Sequence, residues 1–375
     1  METKSFDVII IGAGPSGLMA AIMASKNRHV LLVEQGGKSF ELGKRILVSG
    51  NGRANFFNEE LLNKDCYSKY PLNEIKDFVW SDITPVDFIN YLEKDLGFLY
   101  KKEDNLYYPY FNRSECLQNL LVQQLKNNNI TIKQGKLISI DSDNNSVVIK
   151  NNENTVSKFK YNDLILAIGA KSLDRNDYND SLLSSLNVKS YPFKPCLCPI
   201  KVKEPLPSYL NKNRLRGRLS LYHNDELIYQ EDGELLFKDD GISGICVFNS
   251  TLYLNEYQRK HKTNDFTYEF QYLEVGKSIS YSSYPYFLRR YLSENKNAEP
   301  GKFRFTFAEL YPFSQSQISY GGILLSEINK DDFSTKNHPN IHIIGEMLDQ
   351  NFTCGGYNMG TALIEGYILG RRLAK

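Results

Sequence analysis

Short apolar runs mark the two ends of this chain, and mixed, alternating stretches fill its middle. Val8-Ile9-Ile10-Ile11 breaks into Gly12-Ala13-Gly14-Pro15-Ser16-Gly17, and Val30-Leu31-Leu32-Val33 closes on Glu34. Runs that are apolar on both faces predict buried parallel strands. Leu164-Ile165-Leu166-Ala167-Ile168-Gly169-Ala170 and Ile341-His342-Ile343-Ile344-Gly345 have the same character and stop at small residues. Between them the pattern changes. Residues 188–202, 219–237 and 304–308 alternate, which predicts strands with turns at His223-Asn224-Asp225 and Glu231-Asp232-Gly233. Polar clusters at 141–145 and 151–154 predict further hairpin turns. Helical spacing is expected over 286–292 and from about Met359 to Arg372, after a glycine-rich stretch.

The first run carries chemistry as well as structure. Strand, tight glycine turn, helix, strand and acid make the unit that holds the ADP half of a dinucleotide. Gly12 allows the sharp turn, Gly14 lets a pyrophosphate approach the backbone, and Gly17 lets helix pack on strand. Pro15 and Ser16 open the helix, whose N-terminus offers free N–H groups to phosphate. Glu34 is placed to accept hydrogen bonds from a ribose diol, with Gln35 beside it.

The second nucleotide-like pattern lies at the far end of the chain, so the two halves do not read as independent domains. The expected architecture is α/β: one Rossmann-like domain built from both chain ends, with a β-rich insertion that carries a smaller helical insertion. The boundaries are 1–187 and 320–375 for the nucleotide domain, 188–248 and 298–319 for the β-rich domain, and 249–297 for the partly helical insertion. This discontinuous layout favours FAD over NAD as the tightly bound nucleotide. Enzymes that only use NAD usually follow the first Rossmann unit with a separate catalytic domain. Here a second glycine-rich loop comes early instead, Gly43 to Asn55, with Lys44, Arg45, Ser49, Gly50, Gly52, Arg53 and Asn55 as candidate cofactor contacts. Successive backbone N–H groups beside basic side chains form an anion nest. Gly169, ending its strand in a small-residue turn, is a further candidate, as in FAD enzymes of the glutathione-reductase type.

Composition narrows the class without changing this reading. The chain has 375 residues, enough for two or three domains, and a formal charge of +1, which gives no global field for nucleic acid. No apolar run approaches the roughly 20 residues of a membrane helix. The first strand opens within a few residues of Met1, so no signal peptide is expected. Six cysteines, with only Cys196 and Cys198 close together, suit reduced thiols in a cytoplasmic protein and no metal site.

Several segments occur in an order that resembles a known family. They are Gly43 to Asn55; Tyr108-Pro109 with Asn112-Arg113-Ser114; and Gly233 to Phe237 with Gly241-Ile242-Ser243-Gly244. Tyr320-Gly321-Gly322-Ile323 follows, then Gly345-Glu346-Met347-Leu348-Asp349 with Gly355-Gly356-Tyr357-Asn358. Together they resemble the aminoacetone oxidase family of FAD-binding enzymes, also described as bile-acid-inducible-N-like NAD(P)/FAD-dependent oxidoreductases. The resemblance implies a two-ended FAD domain, a β-barrel-like domain and a small helical domain. Two departures stand out. Ala54 replaces the family's cysteine, so a thiol at that position is not required here. Tyr320 replaces the threonine of its Thr-Gly-Gly-Val.

FAD implies further candidates at the C-terminal strand end. Gly345 and Glu346 should lie near the ribityl chain or pyrophosphate, and Gly355 and Gly356 permit close backbone approach. Asn358 is placed either to bond a flavin carbonyl or to cap the helix. Reduced flavin concentrates charge at N1 and C2=O, where a helix N-terminus would stabilise it. Arg53 and Tyr357 are the candidate catalytic side chains, and the five isolated histidines read as structural or exposed. The expected function is an FAD-dependent oxidoreductase for a small organic substrate, with NADH or NADPH as a transient donor. Alternatives are a flavin-dependent RNA-modifying enzyme, which wants a basic face such as Arg214, Arg216 and Arg218, or a flavoprotein with a structural or sensor flavin.

Overall fold

The computed structural model describes residues 4–36, 40–61, 83–126, 130–171, 186–273, 279–296 and 298–375. Cys66 lies outside them. The chain forms two compact units, residues 1–170, 175–193 and 321–375 in one and 171–174 with 194–320 in the other.

The first unit is built on a parallel sheet. In spatial order its strands are His338–Ile343, Val156–Leu166, Lys4–Ile11, Val30–Glu34 and Ile130–Gln134. The register aligns the strand ends: Ile11 faces Val33 on one side and Leu166 on the other, and Leu166 faces Ile343. Sequence positions 11, 33, 166 and 343 therefore share one edge, where an open parallel sheet presents its ligand crevice. Val8, Ile9, Ile10, Leu31, Leu32, Leu164, Ile165, Ile341 and Ile343 are almost wholly buried, which accounts for strands apolar on both faces. The polar turns at 141–145 and 151–154 are hairpin turns, joining Lys136–Asp141 and Ser146–Lys150 to Val156–Leu166 in an antiparallel meander.

Two sequence-distant helices cover this sheet together. The first, Pro15–Ala24, carries no charged side chain, and nine of its ten residues are buried. The C-terminal helix, Tyr357–Leu373, packs along it through glycines. A Cβ at Gly366 would lie 2.2 Å from the Ser16 carbonyl oxygen, and one at Gly370 would lie 2.5 Å from that of Ala20. Only residues without side chains let the backbones approach this closely.

The second unit is a closed antiparallel barrel. Its order is Ile200–Val202, Gly241–Ser243, Glu226–Phe237, Arg214–His223, Thr267–Gln271 and Lys302–Leu310, the last pairing with the first. Leu219, Leu221, Leu235, Phe237, Tyr268, Phe270, Phe303 and Phe305 fill it. The turn expected at His223-Asn224-Asp225 is present, with Asn224 at φ 52°. The turn expected at Glu231-Asp232-Gly233 is not: these residues run through the middle of a twelve-residue strand. Gly233 faces Gly217 across the ladder, and its missing side chain makes room for Cys246 on the helix Ile245–His261. A Cβ there would sit 2.9 Å from Cys246 Cβ, so this glycine serves packing rather than a turn. That helix and Tyr286–Glu294 share the barrel core through Val247, Leu254 and Leu288.

Gly366→Ala should destabilise the first unit by about 1–3 kcal/mol, because the added methyl must push two backbones apart. Urea unfolding of the apoprotein measures this, and an unchanged midpoint would mean that the helices are not held at contact.

Candidate functional site

The glycine turn after Lys4–Ile11 is held from both sides by backbone. Gly12 adopts φ +102°, and a Cβ on it would meet the Ala167 carbonyl at 2.3 Å. A Cβ on Gly17 would lie 1.9 Å from the Gly12 carbonyl. Gly14 differs: its φ is −74°, open to any residue, and nothing lies within 4 Å of where its Cβ would be. The backbone thus leaves a space at the one glycine where a pyrophosphate would approach. Gly14 is also the N-cap of Pro15–Ala24 and supplies no side-chain acceptor, so the first turn is left to an external anion. Glu34, half-buried, accepts a 2.6 Å hydrogen bond from the Ala13 N–H, which fixes the acid beside the turn. Gln35 follows it, also half-buried.

The second glycine loop meets the first directly. The Gly43 N–H donates to the Ala13 carbonyl at 2.8 Å, and Gly43 is left-handed at φ 72°. Lys44 is exposed and Arg45 half-buried at the start of a short helical turn, Lys44–Leu47. Ser49 bonds the Ile46 carbonyl at 2.6 Å, and the Arg53 and Ala54 N–H groups return to Gly50 and Ser49. Gly50 and Gly52 are left-handed, and so is the fully buried Ala54, at φ 49°. Arg53 does not point out as a lone cation. It bonds Glu103 at 2.8 Å and Asn112 at 2.9 Å and stacks over Tyr108 at 4.2 Å.

The C-terminal motif closes on the same place. Asn58 Nδ2 donates to the Gly355 carbonyl at 2.8 Å, linking residues 297 positions apart. Gly356 at φ 86° lies against the Asn55 side chain, where a Cβ would come within 2.5 Å of Oδ1. That Oδ1 is buried and has no hydrogen-bond partner. Gly356 is also the N-cap of Tyr357–Leu373, two residues earlier than the sequence pattern predicts, and it too caps with no side chain. Asn358 is therefore inside the helix rather than capping it. Its amide accepts from the Phe352 N–H and donates to the Phe352 carbonyl, pinning the preceding loop. Tyr357 is buried beside Gly355, and Cys354 is half-buried and free of any disulfide. Gly169 is left-handed at φ 77°, ending its strand near the crevice edge.

Gly345 completes the set. It adopts φ +76° at the end of the last parallel strand, and a Cβ there would lie 2.7 Å from Ser16 Oγ. Glu346 sits half-buried on the same turn. Gly322 makes way for this turn, since a Cβ on it would meet the Met347 carbonyl at 2.5 Å. The turn is anchored by Glu365, a residue that the motifs do not mark. Its fully buried carboxylate accepts a 2.6 Å bond from the Gly345 N–H and another from the Gln350 amide. Burial pushes its carboxyl up to about 7, against the lowering effect of those two hydrogen bonds. The stabilisation from the neutral form is thus complete below the ordinary value of 4.5 and lost as pH rises through about 7. A lone acid in the apolar run Leu363-Ile364-Glu365-Gly366-Tyr367-Ile368 was the available signal.

Histidine chemistry is absent from this cluster. His342 is buried and tied between the Asp332 carbonyl and Asp163 Oδ1. Of the predicted basic cluster, Arg214 pairs across the strands with Glu234 and Arg218 with both oxygens of Asp232.

The sequence profile of the HI0933-like protein Rossmann domain matches residues 6–372. The chain belongs to this family. It is an FAD-binding Rossmann protein of the oxidoreductase class. The chain is 25% identical to a 3-dehydro-bile acid delta(4,6)-reductase of Clostridium scindens, over 98% of both proteins. It is 22% identical to a ribosomal RNA dihydrouridine synthase of Escherichia coli, over 95% of this chain and 94% of that one. The structure resembles 3-ketosteroid delta1-dehydrogenase from Sterolibacterium denitrificans with a TM-score of 0.55, covering 99% of this chain and 100% of that one. At 10% identity, that likeness speaks to the fold.

The residues present fit FAD on structural grounds: the open space at Gly14, the unpartnered Asn55 oxygen, and two helix N-termini without side-chain caps. When bound, FAD supplies the hydride-carrying isoalloxazine. Gly14 to Gly17 would hold the pyrophosphate, and Glu34 the adenosine ribose. The N-terminus of Tyr357–Leu373 would lend positive potential to reduced flavin. Gly14→Val should leave apoprotein stability within about 0.5 kcal/mol, since the site is exposed to open space. The same change should weaken FAD binding by about tenfold or more, equivalent to about 1.4 kcal/mol. Flavin fluorescence titration measures it, and unimpaired binding would place the pyrophosphate elsewhere.

Proposed function

We propose that this protein is an FAD-dependent oxidoreductase that acts on a small organic substrate in the reducing direction, with NADH or NADPH docking transiently to reduce the flavin. The observation that carries the reading is the division of labour between the two units. The first holds one dinucleotide fingerprint on a parallel sheet, and the second is a closed antiparallel barrel rather than another nucleotide fold. A nicotinamide therefore has no Rossmann site of its own among the described residues and would reach the flavin by passing docking.

The reducing direction is supported by the reductase from Clostridium scindens, which matches along 98% of its length. RNA modification has less support. Two of the three arginines on the candidate basic strand, Arg214 and Arg218, are paired with cross-strand carboxylates, which lowers the counterion release the strand offers a phosphate backbone. Tyr357 remains the proposed residue bordering the substrate, while Arg53, engaged by Glu103 and Asn112, orients its loop rather than binding an anion itself.

Anaerobic stopped-flow mixing of the flavin-loaded protein with NADH, and separately with NADPH, tests the reading. Bleaching of the flavin band near about 450 nm with one of them is expected and identifies the donor. Absence of bleaching with both would overturn the reductase assignment in favour of a substrate-reduced enzyme or a structural flavin.

A further inference from the structure

Glu365 is an unusual neighbour for a phosphate site. Its carboxyl is wholly buried, and both its chain neighbour Gly366 and its hydrogen-bond partner Gly345 pack on Ser16 in the first turn of the first helix. Through the next residue, Gly366, the chain touches the Ser16 carbonyl. Through the Gly345 N–H, which Glu365 binds at 2.6 Å, it reaches the residue packed on Ser16 Oγ. Ser16 lies in the first turn of the helix that Gly14 caps. A dinucleotide pyrophosphate bound there brings two negative charges towards a carboxyl wholly buried from solvent. Repulsion in such an interior is several-fold stronger than in solvent, and a carboxylate so placed takes up a proton.

We propose that FAD binding to this protein is coupled to protonation of Glu365, so that the nucleotide binds with uptake of a proton and its affinity falls as pH rises through neutrality. The inference rests on the FAD assignment and adds to it the ionisation of one residue. The buried surroundings already raise this carboxyl to about 7 before any nucleotide is present, so it is part-ionised at neutral pH. The neutral acid also has a place for its proton. Gln350 Oε1 is buried without a partner, and a turn of that amide lets it accept the new O–H while the other carboxyl oxygen keeps the Gly345 N–H.

Other ionisable groups stand on the surrounding elements. Glu346 and Asp349 are on the turn, His338 and His342 on the last parallel strand, and Arg371 and Arg372 at the end of the same helix. Glu34 ends the strand Val30–Glu34, separated from the last parallel strand by two others in the sheet, with its carboxylate on the Ala13 N–H, and His342 is occupied by Asp163. Pro15–Ala24 contributes none. A single isosteric substitution separates Glu365 from all of them.

Apoprotein is titrated with FAD from about pH 5.5 to about pH 8.5, following flavin fluorescence, for the wild type and Glu365→Gln. The wild-type Kd should rise across this range by about tenfold for each pKa unit that the nucleotide adds to Glu365. Glu365→Gln should bind with a nearly pH-independent Kd, close to the wild-type value at low pH. An equal pH slope in the variant would overturn the proposal, as would a flat profile in the wild type. Should the variant fail to fold, calorimetry of the wild type at neutral pH in buffers of different ionisation enthalpy gives the proton count directly. With the apo carboxyl near 7, uptake of up to about half a proton per FAD at pH 7, rising towards one at higher pH, supports the coupling, and zero uptake overturns it. No FAD binding at any pH would overturn the FAD assignment itself, a result distinct from pH-independent binding.

Discussion

The close approach of two helices from opposite ends of the chain is the constraint on which the first unit depends. Pro15–Ala24 carries almost nothing but small and aliphatic side chains, and Tyr357–Leu373 lays Gly366 and Gly370 against its backbone. Were either helix displaced by the width of a methyl group, Gly345 would leave Ser16 and Gly356 would leave Asn55. The fingerprint loop, the Gly43–Asn55 loop and the C-terminal glycines are contiguous only because that contact is made at backbone distance. The barrel unit has an analogous device, with Gly233 leaving room for the helix Ile245–His261 to lie on its strand, and Gly217 opposite it letting the backbone at Gln271 come close.

Glycines were the most legible feature of the sequence where backbone geometry left them no alternative. The turn at Gly12 and the packing at Gly17 could be read directly, because strand, helix and acid bracket them. The buried parallel strands were legible for a similar reason: a run apolar on both faces has few other places to go. Gly233 was misread because a glycine after two acids signals a turn locally. Its real purpose depends on Cys246, a partner on another element. Asn358 shows the same limit at one residue's scale, where its side chain binds Phe352 and the cap falls on Gly356.

Charged side chains were harder to place, since their roles are set by partners far along the chain. Arg53 read as an anion ligand from its loop alone, but Glu103 and Asn112 lie 50 and 59 positions later and occupy its guanidinium. Arg214 and Arg218 looked like a basic edge until the hairpin brought Glu234 and Asp232 opposite them. Tyr320, where the family carries threonine, is fully buried and donates to Glu256 at 2.5 Å. The larger residue is thus accommodated by a hydrogen bond within the second unit.

The electrostatics of the site follow from an opposition between backbone and side chains. Two helices present uncapped N-termini, each favouring negative charge, while Glu34 and Glu365 place carboxylates on the adjoining turns. Glu34 is half-buried, so solvent can screen it and a ribose diol can use it. Glu365 has no such outlet, and its only relief from an approaching anion is to become neutral. The same turn can therefore be rigid and still respond to charge. Gly345 remains bonded to one oxygen in either protonation state, while the second oxygen and the Gln350 amide exchange donor and acceptor.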